Sequence, residues 1–288
     1  MQNDLRRGAF YALLAAVAFS ITGICIKAAS AYAPNEVVVF VRSAVSLLTL
    51  LPWVLRNGLS VLQTQRLGGH LWRASFGVCA MYAFFYGIAH LPLAAAMLLT
   101  YSTPLYIPFI AWFWIQERPP LIVFPAAVVG LVGIGFIVKP AGGDLNLLAA
   151  LVGLSSGIFA ACAMVSIRRI SDTEPTPRIV FYFAALATLI SAVPLLWAWQ
   201  TPSTLTLMLL AGAGITATLG QLCLTQAYVC APAARVGPFT YTAVIFSALL
   251  AWLFWNEQLD RWFLIGSVLV ITTCIMVGWQ RKEPQMEE

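Results

Sequence analysis

Ten uncharged, mainly apolar runs follow one another along this chain, and only short connections separate them. A helix needs about 20 such residues to cross the hydrocarbon core of a bilayer. Only 9% of the residues are charged, which is too few to cover a water-soluble body of 288 residues. The sequence therefore predicts an all-α integral membrane protein embedded in a lipid bilayer. Its ten transmembrane helices are expected at 8–27, 36–55, 73–91, 93–115, 121–138, 145–166, 178–199, 204–228, 233–255 and 262–280.

The basic residues indicate how these helices are oriented. If the N-terminus is cytoplasmic, twelve lysines and arginines fall on the cytoplasmic side and three on the other. Cytoplasmic loops of membrane proteins carry such an excess of positive charge. Both termini are therefore expected in the cytoplasm. The formal net charge of +5 is then a matter of topology and gives no reason to expect a nucleic-acid partner.

A segment in the last third of the first half returns in the second half. TYSTPLYIPFIAWFWIQE at 100–117 is echoed by TYTAVIFSALLAWLFWNE at 240–257, and a shift of 140 gives seven identities between Pro92 and Glu117. We predict two five-helix repeats, at 1–141 and 142–288. Because five is odd, the two halves cross the membrane in opposite directions. Inverted repeats are the architecture of alternating-access transporters, whose substrate binds near the midplane.

These features resemble the drug/metabolite transporter superfamily, specifically its EamA-type branch of bacterial metabolite exporters. The resemblance rests on PLAAAMLLTYSTPLYIPFIAWFWIQE and its echo PAARVGPFTYTAVIFSALLAWLFWNE and covers essentially the whole chain. Within that branch the chain is most similar to YddG-type amino-acid exporters. The resemblance implies a multi-pass protein of the bacterial inner membrane, with helices 1, 3, 4, 6, 8 and 9 around a central cavity. We expect one chain to suffice and no cofactor to be needed.

Two helix faces carry side chains suited to such a cavity. The third predicted helix presents aromatic residues at helical spacing, and the shift of 140 places amides and a hydroxyl on the eighth. An aromatic stripe alone more often packs helices, and each polar residue could equally bond to a neighbouring helix. Unpaired amides are costly in hydrocarbon, however, which favours a binding role. The predicted substrate-binding residues are Tyr82, Phe85, Tyr86, Tyr101, Gln221, Thr225, Gln226 and Tyr241.

Prolines and a glycine in the fourth and ninth predicted helices are hinge candidates. Proline removes a backbone hydrogen bond and bends a helix. A fixed kink that shapes the cavity is an equal alternative. The predicted hinge residues are Pro104, Pro108, Gly237 and Pro238.

Ionisable residues within the runs narrow the substrate class. No carboxylate falls in the middle of a predicted helix, whereas proton-coupled cation exporters use one there. A neutral or zwitterionic substrate is favoured, such as an aromatic or other neutral amino acid. Arg42 is the one ionised side chain inside a run. It could bind a substrate carboxylate, but snorkelling outward or pairing with Glu36 is the favoured interpretation.

Other function classes fit the sequence less well. An enzyme or a metal site would need clustered reactive side chains, but the two histidines lie in different segments and the six cysteines are scattered. A nucleotide-sugar or phosphate-ester exchanger, or a drug exporter, of the same superfamily is the alternative. A phosphate-binding cavity should contain several lysines or arginines, and the runs offer only Arg42.

Overall fold

The computed structural model describes residues 5–115, 123–138, 146–170, 173–230, 239–240, 242–257 and 261–278. Within these ranges every regular element is a helix, which confirms the all-α prediction. Every predicted apolar run contains at least one helix, and the fourth and seventh runs are each divided in two. The ten-span count, the orientation of the termini and the division into two repeats stay predictions.

Twelve α-helices are described, together with a 3₁₀ turn at Leu59–Leu62. Of these, α1, α2, α7 and α10 are long and apolar enough to cross a membrane, judged by length and composition. The helices are α1 Leu5–Ser30, α2 Asn35–Asn57, α3 Leu67–His90, α4 Leu93–Tyr101, α5 Thr103–Ile115, α6 Val123–Val138, α7 Leu147–Ile170, α8 Thr176–Ala192, α9 Leu195–Ala198, α10 Thr204–Cys230, α11 Thr242–Trp255 and α12 Arg261–Gly278.

The fourth predicted run is broken at Ser102, between α4 and α5. Pro104 is the second residue of α5 and has no N–H to continue the hydrogen-bond ladder of α4. The Ser102 N–H donates to the carbonyl of Leu98 (3.0 Å), and its hydroxyl donates to the carbonyl of Leu99 (2.5 Å). The interruption therefore lies just before Pro104, whereas α5 runs through Pro108 without a break.

Contacts between the two halves of the chain occur in exchanged pairs. Helix α1 packs along α10, and α3 packs along α7; likewise α2 contacts α10, and α3 contacts α8. Helix α1 also contacts α11, as α4 and α5 contact α7. Three other inter-half packings, α2 on α8, α4 on α11 and α6 on α12, join helices at equivalent places in the chain. Exchanging the predicted halves maps each of these packings onto another or onto itself, whereas the smaller contact of α5 with α12 has no counterpart of similar size between α6 and α11 among the described residues.

Glycines permit two of these close approaches. A Cβ on Gly157 of α7 would lie 2.9 Å from the carbonyl oxygen of Leu99, and one on Gly214 of α10 would lie 2.9 Å from that of Arg42. Neither position leaves room for a side chain without moving a backbone. The small residues of α7 and α10 thus set how closely α4 and α2 approach them.

Candidate substrate-binding site

The predicted aromatic face of α3 divides between a cavity and the core. Tyr82 and Tyr86, four residues apart, lie on the same side of the helix and line an open cavity of about 400 Å³. The other lining residues are Asn35 of α2, Cys79 and Ala83 of α3, and Val152 of α7. Phe85 points away from it and is buried in the main hydrophobic core. The cavity is therefore formed where α2, α3 and α7 meet.

Tyr82 contributes an unsatisfied hydroxyl to this region. The Oη atom is buried and has no hydrogen-bond partner in the described part of the chain. Its backbone carbonyl, in contrast, accepts a hydrogen bond from Nδ2 of Asn35 (3.0 Å). Buried hydroxyls in folded proteins nearly always have a partner. The Tyr82 hydroxyl is therefore an unusual buried polar group at the edge of this region.

The predicted polar face of α10 is bonded within its own helix. The hydroxyl of Thr225 donates to the carbonyl of Gln221 (2.8 Å), and Nε2 of Gln226 lies 3.8 Å from Sγ of Cys230. None of the three predicted α10 residues is among those lining the 400 Å³ cavity. The structure thus does not bring the α3 and α10 faces together around one described cavity; α3 packs along α7, and α10 packs along α1.

The remaining predicted residues do not line the described cavity or lie outside the described residues. Tyr101, the last residue of α4, packs partly buried against the main core. Tyr241, Gly237 and Pro238 lie outside the described residues.

Two buried arginines, only one of which the sequence singled out, lie between α2, α3 and α8. Arg42 and Arg73 are each 5% exposed. Nη1 of Arg42 lies 3.4 Å from Sδ of Met81, and the guanidinium carbon of Arg73 lies 4.0 Å from the centre of the Phe183 ring. The Nε atom of each arginine has no hydrogen-bond partner among the described residues. Arg73 reaches along α3 to Gly77, one turn before Met81, so both guanidinium groups lie beside the same part of α3.

The favoured interpretation of Arg42 was wrong. Its side chain neither snorkels to the surface nor pairs with Glu36, because it turns into the bundle toward Met81. Arg73 was missed because the sequence places it at the cytoplasmic end of a helix starting there. The helix starts at Leu67 instead, so Arg73 lies nearly two turns inside it. Gly68 and Gly69 favour a loop over a helix, so the first turns of α3 were not predicted from the sequence.

A charged cluster joins three elements at one end of the bundle. Lys27, in the last turn of α1, forms an ion pair with Glu257, just beyond α11. The Leu93 N–H, at the start of α4, donates to the second carboxylate oxygen (3.0 Å). The Lys27 ammonium also lies 5.5 Å from the centre of the Trp255 ring. We call Lys27, Leu93, Trp255 and Glu257 the α1–α11 cluster; it holds these helices and the α3–α4 connection together.

A second charged cluster joins the α2–α3 connection to the start of α8. The carboxylate of Glu174 accepts hydrogen bonds from Thr64 (2.6 Å) and Arg178 (3.1 Å). Nε2 of His70 lies 3.5 Å from the same carboxylate, and its ring stacks on Tyr182 at 4.3 Å. We call these residues the α3–α8 cluster.

The surroundings of the α3–α8 cluster shift two pKa values in the same direction. Burial lowers the pKa of His70 below its ordinary 6.5, despite the opposing effect of Glu174. Burial alone would raise the pKa of Glu174, but the hydrogen bonds from Thr64 and Arg178 outweigh it and lower that pKa. Near neutral pH the cluster therefore contains a neutral imidazole and an ionised carboxylate.

Comparison with known proteins identifies the kind of molecule that this bundle is. The model of the EamA-like transporter family matches residues 6–139 and 147–279. The chain belongs to this family. It is thus a multi-pass membrane protein and a transporter of small molecules.

Named members of the EamA-like family with related sequences move molecules in both directions. The chain is 37% identical to the pseudopaline exporter CntI of Pseudomonas aeruginosa, over 96% of this chain and 98% of the exporter. It is 26% identical to a riboflavin transporter of Vibrio cholerae, over 98% of this chain and 96% of that transporter. It is 27% identical to an S-adenosylmethionine uptake transporter of Rickettsia conorii, over 94% of this chain and 92% of that transporter. These relatives do not point specifically to YddG-type amino-acid exporters.

A solved crystal structure has the same fold. Its TM-score is 0.66 at 19% sequence identity, and the match covers 95% of this chain and 96% of that chain. The fold is therefore common to nearly the full length of both proteins.

Proposed function

We propose that this protein exports small amphipathic metabolites of amino-acid type from the bacterial cytoplasm across the inner membrane. One observation carries the direction of transport: the pseudopaline exporters are 37% identical over nearly the whole length of both chains. The uptake transporters among the relatives are less similar, at 26–27% identity. Aromatic and other neutral amino acids are the proposed substrates.

The proposed mechanism is alternating access between two inverted five-helix halves, 1–141 and 142–288, with both termini in the cytoplasm. The exchanged helix packings support it, because they are the contacts expected of two related halves. A pair of cation–π contacts supports it as well. Lys27 at the end of α1 lies over Trp255, and Arg169 at the end of α7 lies over Trp114 at 5.8 Å. One contact joins α1 to α11 and the other joins α7 to α5. Exchange of the predicted halves places α7 at the position of α1 and α5 at that of α11, so the two contacts are equivalent.

Tyr82 and Tyr86 are the proposed substrate contacts with the best structural support, because both line the open cavity. A tyrosine ring offers an apolar face to a substrate side chain, and its π-system also attracts an ammonium group. We propose that Tyr101, Gln221, Thr225, Gln226 and Tyr241 join these contacts in another conformation of the cycle, which Pro104, Pro108, Gly237 and Pro238 permit. No proton-binding carboxylate within the helices is part of this mechanism.

The test is counterflow of labelled phenylalanine into liposomes that contain the purified protein, with and without a pH gradient. We expect counterflow that is the same in both conditions. Tyr82→Ala is expected to reduce it at least tenfold, whereas Tyr32→Ala, at an exposed tyrosine between α1 and α2, serves as the matched control. Absence of counterflow for every amino acid tested would overturn the substrate class, and dependence on a proton gradient would overturn the mechanism.

Phosphate-ester exchange is the second candidate, because the structure adds Arg73 to Arg42. Two buried guanidinium groups supply the positive charge that a phosphate-binding site requires. Counterflow of a labelled sugar phosphate, in liposomes that do not exchange phenylalanine, would favour this candidate over the first.

A further inference from the structure

The two buried arginines converge on one turn in the middle of α3. The Nη1 atom of Arg73 occupies the space that a methyl group on Gly77 would fill. Nη1 of Arg42 reaches Sδ of Met81 from α2. Gly77 and Met81 are one turn apart at the centre of a 24-residue helix. The arginines therefore place their guanidinium groups at nearly the same depth, far from both ends of α3.

The chain supplies weak partners for these two cations. A thioether is a poor hydrogen-bond acceptor, and a phenyl ring stabilises a guanidinium by only about 0.5–2 kcal/mol. The Nε–H of each arginine is buried without an acceptor among the described residues. Two like charges near each other in a dry interior are costly unless an anion lies between them.

Two of the three described carboxylates are paired with other cations, and the third forms no ion pair with either arginine. Glu257 pairs with Lys27, and Glu174 pairs with Arg178. Glu36, in the first turn of α2, lies near Tyr82 and forms no ion pair with Arg42 among the described contacts. The compensating negative charge for Arg42 and Arg73 therefore does not come from the described part of the chain.

The geometry points to an oxyanion as the missing partner. An arginine edge made of Nε–H and one Nη–H binds both oxygens of a carboxylate or phosphate in parallel. Here the unsatisfied Nε atoms belong to that edge in both side chains.

We propose that Arg42 and Arg73 together bind the carboxylate group of the transported molecule in the middle of the bundle. The proposal rests on the proposed transport function and names the part of the substrate that the protein recognises. It excludes amines and neutral amides of the same shape as good substrates, because they leave both guanidinium groups uncompensated.

The first test compares ligands that differ only in this group. Unlabelled phenylalanine and phenylalaninamide compete with labelled phenylalanine in the liposome assay. We expect the amide to compete at least tenfold more weakly with the wild type. In Arg42→Met and Arg73→Met, KM for phenylalanine should rise at least tenfold and this discrimination should be lost. Arg56→Met, at an exposed position of α2, should behave as the wild type. Equal competition by the amide, or an unchanged KM in both variants, would overturn the proposal.

A second test does not depend on amino-acid transport. Thermal unfolding of the purified protein in detergent is followed with phenylacetate, phenylacetamide or inorganic phosphate. We expect phenylacetate to raise Tm in the wild type and in Arg56→Met, but neither in Arg42→Met nor in Arg73→Met; phenylacetamide should have no effect. A response to phosphate alone would overturn the carboxylate assignment in favour of phosphate esters. No response to either anion would overturn the site itself, even if phenylalanine is transported.

If the wild type does not transport phenylalanine and yet phenylacetate raises its Tm through Arg42 and Arg73, the proposed amino-acid substrate fails and the anion site stands. Arg42→Lys and Arg73→Lys keep the charge but lack the planar fork. We expect them to retain a smaller response to phenylacetate than the wild type, which a purely structural role would not produce.

Discussion

A cation at the end of the bundle and a cation in its middle have opposite surroundings. Lys27 is 15% exposed and has a carboxylate, a carbonyl and an aromatic ring around its ammonium group. Arg73 is 5% exposed and has the Phe183 ring on one side and another arginine nearby. Partnered charges stabilise the arrangement of the helices, whereas unpartnered ones raise its energy. This difference indicates that the Lys27–Glu257 pair stabilises the present conformation. It also supports the proposal that Arg73 binds a ligand.

Glu257→Gln removes the carboxylate that pairs with Lys27 and should have the largest effect on the free energy of unfolding. The change leaves the Lys27 ammonium partly buried without its carboxylate, which we expect to cost about 2 kcal/mol, less than for a fully buried pair. Unfolding in detergent measures it. The double variant Lys27→Met/Glu257→Gln should recover most of the loss, because it removes both charges. An undiminished stability of Glu257→Gln would show that the α1–α11 cluster contributes nothing.

Arg73→Met removes a buried cation that has no described carboxylate partner and should increase the free energy of unfolding. Removing a buried cation that has no carboxylate, while keeping a side chain of similar volume, is expected to raise stability by about 1 kcal/mol in the absence of ligand. The same unfolding experiment measures it, with exposed Arg56→Met as the control. A loss of stability comparable to that of Glu257→Gln would mean that Arg73 is already compensated within the chain.

Acidification should weaken the α3–α8 cluster, with the smallest of the three effects. The pKa of His70 and that of Glu174 are both lowered in the folded protein. Each group therefore contributes stability above its ordinary pKa and loses it as the pH falls. For His70 the loss begins as the pH falls through 6.5. Tm should decrease between pH 7.5 and 5.5. The decrease should be smaller in His70→Gln than in the control His90→Gln, which changes an exposed histidine.

The sequence predicted the helices well because the bilayer thickness dictates their length and composition. The break before Pro104 was equally accessible, since a missing N–H acts locally. Local patterns predicted less about the site. The pair of Lys27 and Glu257 is 230 residues apart in sequence, and no local signal marks it. Arg73 was hidden by helix-poor glycines in the first turn of α3, which the packing of α3 on α7 and α8 overrides.

The predicted cavity faces illustrate the same limit. Counting residues along α3 places Tyr82 and Tyr86 on one side, and the structure agrees, because the helical period alone decides this. Counting cannot say which helix lies opposite. Helix α7 contributes Val152 to the cavity beside Tyr82 and Tyr86, and the cavity predicted between α3 and the eighth predicted helix stays a prediction.

Because the Lys27–Glu257 ion pair of the α1–α11 cluster joins helices of both halves, we infer that the proposed alternating access requires this pair to separate and re-form once in each transport cycle. This requirement is tested by cross-linking Lys27→Cys to Glu257→Cys with a short bifunctional thiol reagent, in a protein whose six native cysteines have been replaced. Phenylalanine counterflow is measured before and after the reaction. We predict that the cross-link abolishes counterflow and that a reductant which cleaves the linker restores it, while neither single-cysteine variant responds. Undiminished counterflow through the fully cross-linked protein would contradict the account.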